Sequence, residues 1–193
     1  MRKIITILLL FTTLSAVADE RGEKRLETIS RHYAKMGRYS VEFLLRAGDG
    51  VQKGFILVDG NNSYLKAGNM EIFIIDNLRY EVRGDSKEII LDRADAYEKE
   101  LLNSLNGFSA IAADYMIEEC EVEGRMAVRL TPKKSGDAVY IVTTSSGESV
   151  AKLLYGAGEN KVEIIVEKSQ PATQKLPRFS KEEYKGFELI DFR

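Results

Sequence analysis

The chain has 193 residues, with 28 Lys and Arg against 30 Asp and Glu, a net charge of −2. That balance excludes the one-signed basic surface that holds a nucleic-acid backbone, so no nucleic-acid partner is expected. A single cysteine, Cys120, excludes an internal disulfide. Stability must come from packing, and Cys120 reads as a small buried hydrophobe.

Met1 to Ala18 reads as a secretory signal peptide. Arg2 and Lys3 supply the positive start, Ile4 to Phe11 and Leu14 the apolar stretch, and Ala16-Val17-Ala18 the small-x-small cleavage site before Asp19. The apolar run is too short to span a bilayer, and no cysteine follows the cleavage site to carry an acyl anchor. The expected mature chain is 19–193, one domain long enough to bury a sizeable core. It is expected to be exported across a bacterial inner membrane to the periplasm.

Arg21 to Gly37 is the first predicted helix, with Leu26, Ile29, Tyr33 and Met36 at helical spacing and Gly37 where a helix stops. Its single apolar stripe calls for the apolar face of a sheet as partner. Tyr39 to Arg46 follows as a strand, with Tyr39, Val41, Phe43 and Leu45 on one face and Ser40, Glu42, Leu44 and Arg46 on the other. Gly48-Asp49-Gly50 is a hairpin turn.

From Gln52 to Asp92, short runs of Val, Ile, Phe, Tyr and Leu alternate with turn signals at Asp59-Gly60-Asn61-Asn62, Gly68-Asn69, Asp76-Asn77 and Gly84-Asp85. Connections that short make an antiparallel meander. Within it Leu78, Tyr80 and Val82 oppose Arg79, Glu81 and Arg83, so the sheet has a greasy, aromatic side that needs a cover. Too few helices to fill a curved sheet would leave a cavity.

Tyr97 to Phe108 reads as a second helix with Leu101, Leu102 and Leu105 on its apolar face. Strands resume at Tyr115–Val122, Arg125–Thr131, Ala138–Thr144, Ser149–Gly156 and Val162–Val166, an α+β order with antiparallel pairing. Ser169 to Pro177 reads as an extended connector. The closing stretch is too apolar for a loose tail and is expected to dock on the sheet edge or the cavity mouth.

Chemistry-bearing motifs are sparse. His32, the one histidine, has no partners at metal-ligand spacing and no serine or cysteine motif beside it. Glu118, Glu119, Glu121 and Glu123 read as a solvated face, and Gly48-Asp49-Gly50 lacks the residues of a phosphate loop. The expectation is no enzyme, no cofactor and no metal.

The order of pieces resembles the LolA-like carriers of outer-membrane lipoproteins. The carrying segments are G-F-I-L-V at Gly54 to Val58, I-I-D-N-L-R-Y-E-V at Ile74 to Val82, L-L-N-S-L-N-G at Leu101 to Gly107 and Y-I-V-T-T-S-S-G-E at Tyr140 to Glu148. The ending E-Y-K-G-F-E-L-I-D-F-R, Glu183 to Arg193, is similar to that of the Bacteroidetes members. The resemblance implies an incomplete antiparallel β-barrel, a half-barrel, with helices covering its apolar concave face. It implies a periplasmic carrier that takes acylated lipoproteins from an ATP-driven inner-membrane complex and hands them to an outer-membrane acceptor.

The acyl-chain cavity expected on that basis is lined by Phe43, Phe55, Leu57, Tyr64, Tyr80, Val82, Ile89 and Leu91, with Leu101 and Leu105 as lid. Each could equally be an ordinary core residue. Two family features are unmatched: an Arg-Pro pair after the second strand, where Gly60-Asn61 stands here, and a tryptophan, near which Tyr80 stands. The alternative is a sensor or a glycolipid-binding module on the same half-barrel.

Overall fold

The computed structural model describes residues 20–94, 114–134, 136–156 and 161–193. The signal segment and the second predicted helix, with Leu101 and Leu105, lie outside the described residues.

Helix α1, residues 20–36, carries the expected stripe: Leu26, Ile29 and Tyr33 are buried and Met36 packs at their side. Its outer face is polar, with Lys24 Nζ 2.6 Å from Glu20 Oε1. The helix stops at Gly37, whose φ of 67° lies in the left-handed region that glycine enters without cost.

Twelve strands follow among the described residues: β1 Tyr39–Ala47, β2 Gly50–Asp59, β3 Asn62–Ala67, β4 Met70–Ile75, β5 Leu78–Arg83, β6 Glu88–Arg93, β7 Tyr115–Val122, β8 Arg125–Pro132, β9 Val139–Thr143, β10 Val150–Tyr155, β11 Val162–Pro171 and β12 Glu188–Asp191. They form one sheet in the order β12-β6-β5-β4-β3-β2-β1-β11-β10-β9-β8-β7. Two antiparallel meanders, β1 to β6 and β7 to β11, are joined along the ladder from Tyr39↔Pro171 to Ala47↔Val162. The edge strands β7 and β12 do not pair with each other, so the sheet is open and fits a half-barrel.

The short loops read from the sequence set the register. The turn at Gly48-Asp49 pairs Ala47 with Gly50, hence Phe43 with Gly54 and Tyr39 with Val58. The turn at Gly60-Asn61 then pairs Leu57 with Tyr64. β11 runs beyond the expected end at Val166 to Pro171, because β1 offers it partners all the way to Tyr39. Pro171 stands at the last rung, where a missing N–H is tolerated.

Helix α1 lies across the face that carries Tyr39, Phe43, Ile56, Val58, Val128 and Ile141. At its start, a Cβ on Gly22 would stand 3.1 Å from the backbone of Glu118 and Glu119, so a larger residue there would push helix and β7 apart by a few tenths of an ångström. Beside it Arg25 Nη2 reaches Glu119 Oε2 at 2.7 Å. Burying each of the large apolar residues of the stripe contributes about 1.5–3 kcal/mol.

The closing stretch docks on a sheet edge as expected, but as a parallel strand: Leu189 faces Ile89 and Asp191 faces Leu91. The segment that leads to it, from Ala172 through the 3-10 turn Lys181–Tyr184 to Phe187, packs Leu176, Phe179, Tyr184 and Phe187 on the face opposite α1.

Candidate functional site

Between α1 and the sheet lies a cavity of about 140 Å3. Ile29 and Tyr33 form its roof, and its floor comes from β3, β2, β1, β11, β10 and β9. In a flat sheet those strands would spread over roughly 24 Å, far wider than a 140 Å3 hollow. The sheet therefore wraps around the helix.

Every lining side chain is Ile, Val, Leu, Phe or Tyr. Burial pushes the Tyr33 phenol above its ordinary value, partly offset by hydrogen bonds with the Val150 backbone and the Ser169 side chain. The Tyr33 hydroxyl is thus occupied by the protein. Walls of this kind hold apolar matter and offer nothing to a charged or strongly hydrated ligand.

Phe43 owes its place in the wall to its cross-strand partner. A Cβ on Gly54 would stand 2.5 Å from Phe43 Cζ and 2.8 Å from the Lys66 carbonyl oxygen. The ring lies in the space that glycine leaves, and any larger residue would drive it into the cavity.

The structure divides the predicted cavity residues. Phe43 lines the hollow under α1. Phe55, Leu57, Tyr64, Tyr80, Val82, Ile89 and Leu91 point to the opposite face, as the rungs Leu57↔Tyr64, Tyr64↔Phe73, Phe73↔Tyr80 and Tyr80↔Leu91 require. There Tyr64, Phe73, Val82 and Ile89 are buried under the segment 172–187 in an aromatic cluster that the protein itself fills. The walls that sequence reasoning did not name include Ile56, Val58, Leu153 and Ile164. The hairpin turn at Gly48-Asp49 carried the signal for the first two, since it places Val58 and Ile56 opposite Tyr39 and Val41.

The same cluster holds a shared carboxylate. The Tyr64 hydroxyl donates to Glu71 Oε2, and Lys66 Nζ lies 3.3 Å from Glu71 Oε1. Burial raises the Tyr64 phenol, as do the hydrogen bond and charge of Glu71. Tyr184 is pushed up to about 12, first by burial and then by the charges of Glu71 and Glu183.

On the α1 side of β5, Glu81 is 7 % exposed, with Arg79 Nη2 at 2.5 Å and Arg83 Nε at 2.6 Å. Burial works to raise its carboxyl, but hydrogen bonds from Arg83 and Arg79, with their charges, outweigh it and hold the group below its ordinary value. A groove of about 720 Å3 on the opposite face mixes Glu42, Glu167, Lys53 and Lys66 in its walls, which suits no acyl chain.

Other reactive groups are constrained. Cys120 is half-buried among Ala127, Val142 and Leu154, and burial pushes its thiol up. His32 lies edge-on to Tyr33 at 5.5 Å. The glutamates of β7 are ion-paired in part: Glu119 to Arg25, and Glu118 to Arg129 at 3.8 Å. Among the described residues no group of three or more His, Cys, Asp or Glu could hold a metal ion, and no helix is long and apolar enough to cross a membrane.

No family model matches the chain, and no curated protein sequence matches it. Among solved structures it is similar to an uncharacterized conserved protein of Thermus thermophilus, at 8% identity and a TM-score of 0.56, over 88% of this chain and 98% of that one. A chain of the MucA/MucB complex of Pseudomonas aeruginosa aligns at 12% identity and a TM-score of 0.46, over 86% of this chain and 61% of that one. LprF of Mycobacterium bovis aligns at 11% identity and a TM-score of 0.41, over 82% and 97% of the two chains. The Thermus protein bears on the fold: two chains of unlike sequence share this architecture over most of their length.

Proposed function

We propose that the protein is a periplasmic carrier that shields the acyl chains of lipoproteins and shuttles them from the inner to the outer membrane. The observation that carries the reading is the wholly apolar cavity between α1 and the wrapped sheet. Burying one methylene is worth about 0.8 kcal/mol, so a long acyl chain resists exposure to water by roughly 10 kcal/mol and needs such a shelter to cross an aqueous space. The order of sequence elements, which resembles the LolA-like carriers, supports the same job. The chain then works without chemistry: it has no catalytic step and no cofactor, and its partners are acylated lipoproteins, an ATP-driven releasing complex and an outer-membrane acceptor.

Size refines the reading. An apolar cavity near 150 Å3 stays dry and takes a benzene-sized guest, and this one has about 140 Å3. The closed form therefore admits the end of a chain, and full loading requires α1 to lift from β7, where Arg25 and Glu119 tie it down.

A release assay tests the carrier role. Purified protein is added to spheroplasts making a labelled lipoprotein, and the supernatant is examined for the cargo. The expected result is a stoichiometric complex of carrier and acylated cargo. Binding of acyl chains without any release from the membrane would instead favour the sensor or glycolipid-binding alternative.

A further inference from the structure

We propose that the pocket beside the Asp76-Asn77 turn, on the face opposite α1, binds a small amphipathic anion: a compact apolar body carrying one carboxylate, sulfonate or phosphate. The site is separate from the cavity under α1, and it stands or falls independently of the carrier role.

A pocket of about 590 Å3 opens there between the sheet and the stretch that runs from Gln174 to Phe179. Sites for small molecules fall in the range of about 300–1,000 Å3. The floor is apolar, built from Ile75, Leu78 and Tyr80 of the sheet and from Leu176 and Phe179 of the covering stretch. All five are half-buried, so part of their surface is left uncovered with the segment in its place.

The walls are pinned by the protein's own bonds, and the hollow is already formed. Arg38 Nη2 lies 2.6 Å from Asp59 Oδ2, and its Nη1 donates to the Gln174 carbonyl at 3.3 Å. The Ala172 N–H donates to the Arg38 carbonyl at 2.9 Å, which fixes the start of the covering stretch. At its far end Phe179 stacks on Tyr80 with centroids 4.3 Å apart. Across the hollow the Asp76 N–H donates to Asn62 Oδ1 at 3.0 Å and holds the β4–β5 turn against β3. No segment has to lift for a ligand to enter.

Charge selects the ligand. The rim carries three cations, Arg38, Lys175 and Arg178, against two carboxylates, Asp59 and Asp76. Arg38 and Asp59 neutralise each other. Among the described residues neither Lys175 nor Arg178 has a carboxylate within ion-pair distance, and both stand exposed on the pinned stretch. Two such cations against the carboxylate of Asp76 leave the rim one positive charge in excess. Above an apolar floor, that excess favours a single anionic group on a hydrophobic body. The groove with Glu42, Glu167, Lys53 and Lys66 in its walls carries both signs equally and makes no such choice.

The test uses the full chain with fluorescent anilinonaphthalenesulfonate as probe, and phenylnaphthylamine, the same rings without the sulfonate, as control. Lys175→Ala and Arg178→Ala change exposed side chains and leave the floor and the Arg38–Asp59 tie intact. Each should weaken uptake of the sulfonate by roughly two- to five-fold, and the double variant by about ten-fold, with uptake of the neutral dye unchanged. Methyl NMR signals of Ile75 and Leu78 should shift with the sulfonate while those of Ile29 and Ile56 stay in place. Competition by naphthoate and by palmitate, read at Ile75 and Leu78, tells a soluble organic acid from a single-chain lipid as the source of the anion. Equal uptake of the sulfonate by the unmodified protein and the double variant would overturn the proposal. Shifts confined to Ile29 and Ile56 would also overturn it, by placing the dye in the cavity under α1.

Discussion

Replacing Gly54 by alanine adds one methyl group at the point where the cavity wall is tightest. The new Cβ would stand 2.5 Å from Phe43 Cζ and 2.6 Å from Cε2, whereas carbon atoms rest at about 3.5–4.0 Å. The Lys66 carbonyl, 2.8 Å away, belongs to the neighbouring strand and cannot retreat without breaking the ladder. The ring must therefore move by roughly 1 Å or more, and the free space is the 140 Å3 hollow. Overpacking of this kind costs about 1–3 kcal/mol, which at a urea dependence near 2 kcal/mol/M lowers the unfolding midpoint by roughly 0.5–1.5 M. Urea unfolding followed by far-UV circular dichroism reads this directly. Phe43→Ala alone should cost about 3–5 kcal/mol, and in its background Gly54→Ala should cost clearly less than in the wild type, since only the contact with the Lys66 carbonyl at 2.8 Å remains. Uptake of an apolar fluorescent probe should fall in Gly54→Ala and rise in Phe43→Ala. A Gly54→Ala cost that is the same with and without Phe43 would refute the reasoning.

Further outcomes follow from the charged and phenolic groups. Glu81→Gln leaves Arg79 and Arg83 without their shared carboxylate at a nearly buried position and is expected to cost roughly 2–4 kcal/mol by urea unfolding at neutral pH. Because the folded state holds the Glu81 carboxyl low, its contribution is present above the unfolded carboxylate value of about 4.3 and disappears as pH falls through its folded value. Wild type and Gln variant should therefore converge in acid. Tyr184, raised from 10.0 to about 12, gives the opposite sign: its contribution is intact below about pH 10 and is lost as pH rises toward about 12. Absorbance at about 295 nm, where phenolate absorbs, should show Tyr33, Tyr64 and Tyr184 ionising above the ordinary phenol value of about 10. Glu119→Gln, which frees Arg25 from a pair with side chains 22% and 17% exposed, should cost roughly 1–2 kcal/mol and speed amide exchange in the first turns of α1.

The strands and their turns were legible because turn chemistry is local. Gly68-Asn69 and Asp76-Asn77 sit between the paired strands where the sequence places them, and the stripe of α1 needs only the helical period. The choice of face was harder. In Gly54 to Val58 both alternate sets are apolar, so period-two patterning cannot say whether Phe55 and Leu57 or Ile56 and Val58 face the helix. Register decides it, and register passes from the Gly48-Asp49 turn strand by strand to Leu91. Residues such as Tyr80 and Val82, though as greasy as Phe43, thereby fall under the segment 172–187. The polar run Glu167 to Gln170 carried no strand signal of its own, and its strand exists because β1 pairs with it. Likewise the apolarity of Phe187 to Phe192 announced a docked segment, while its parallel alignment with β6 depends on contacts distant in sequence.

The central claim is that the hollow under α1 accepts acyl chains. It is tested most directly by loading the purified protein with an apolar fluorescent probe and titrating in a triacylated lipopeptide, with the same peptide stripped of its acyl chains as control. The expected result is displacement by the acylated form alone, weakened in Gly54→Ala, whose ring crowds the hollow. Failure to take up the probe, or equal displacement by both peptides, would contradict the account.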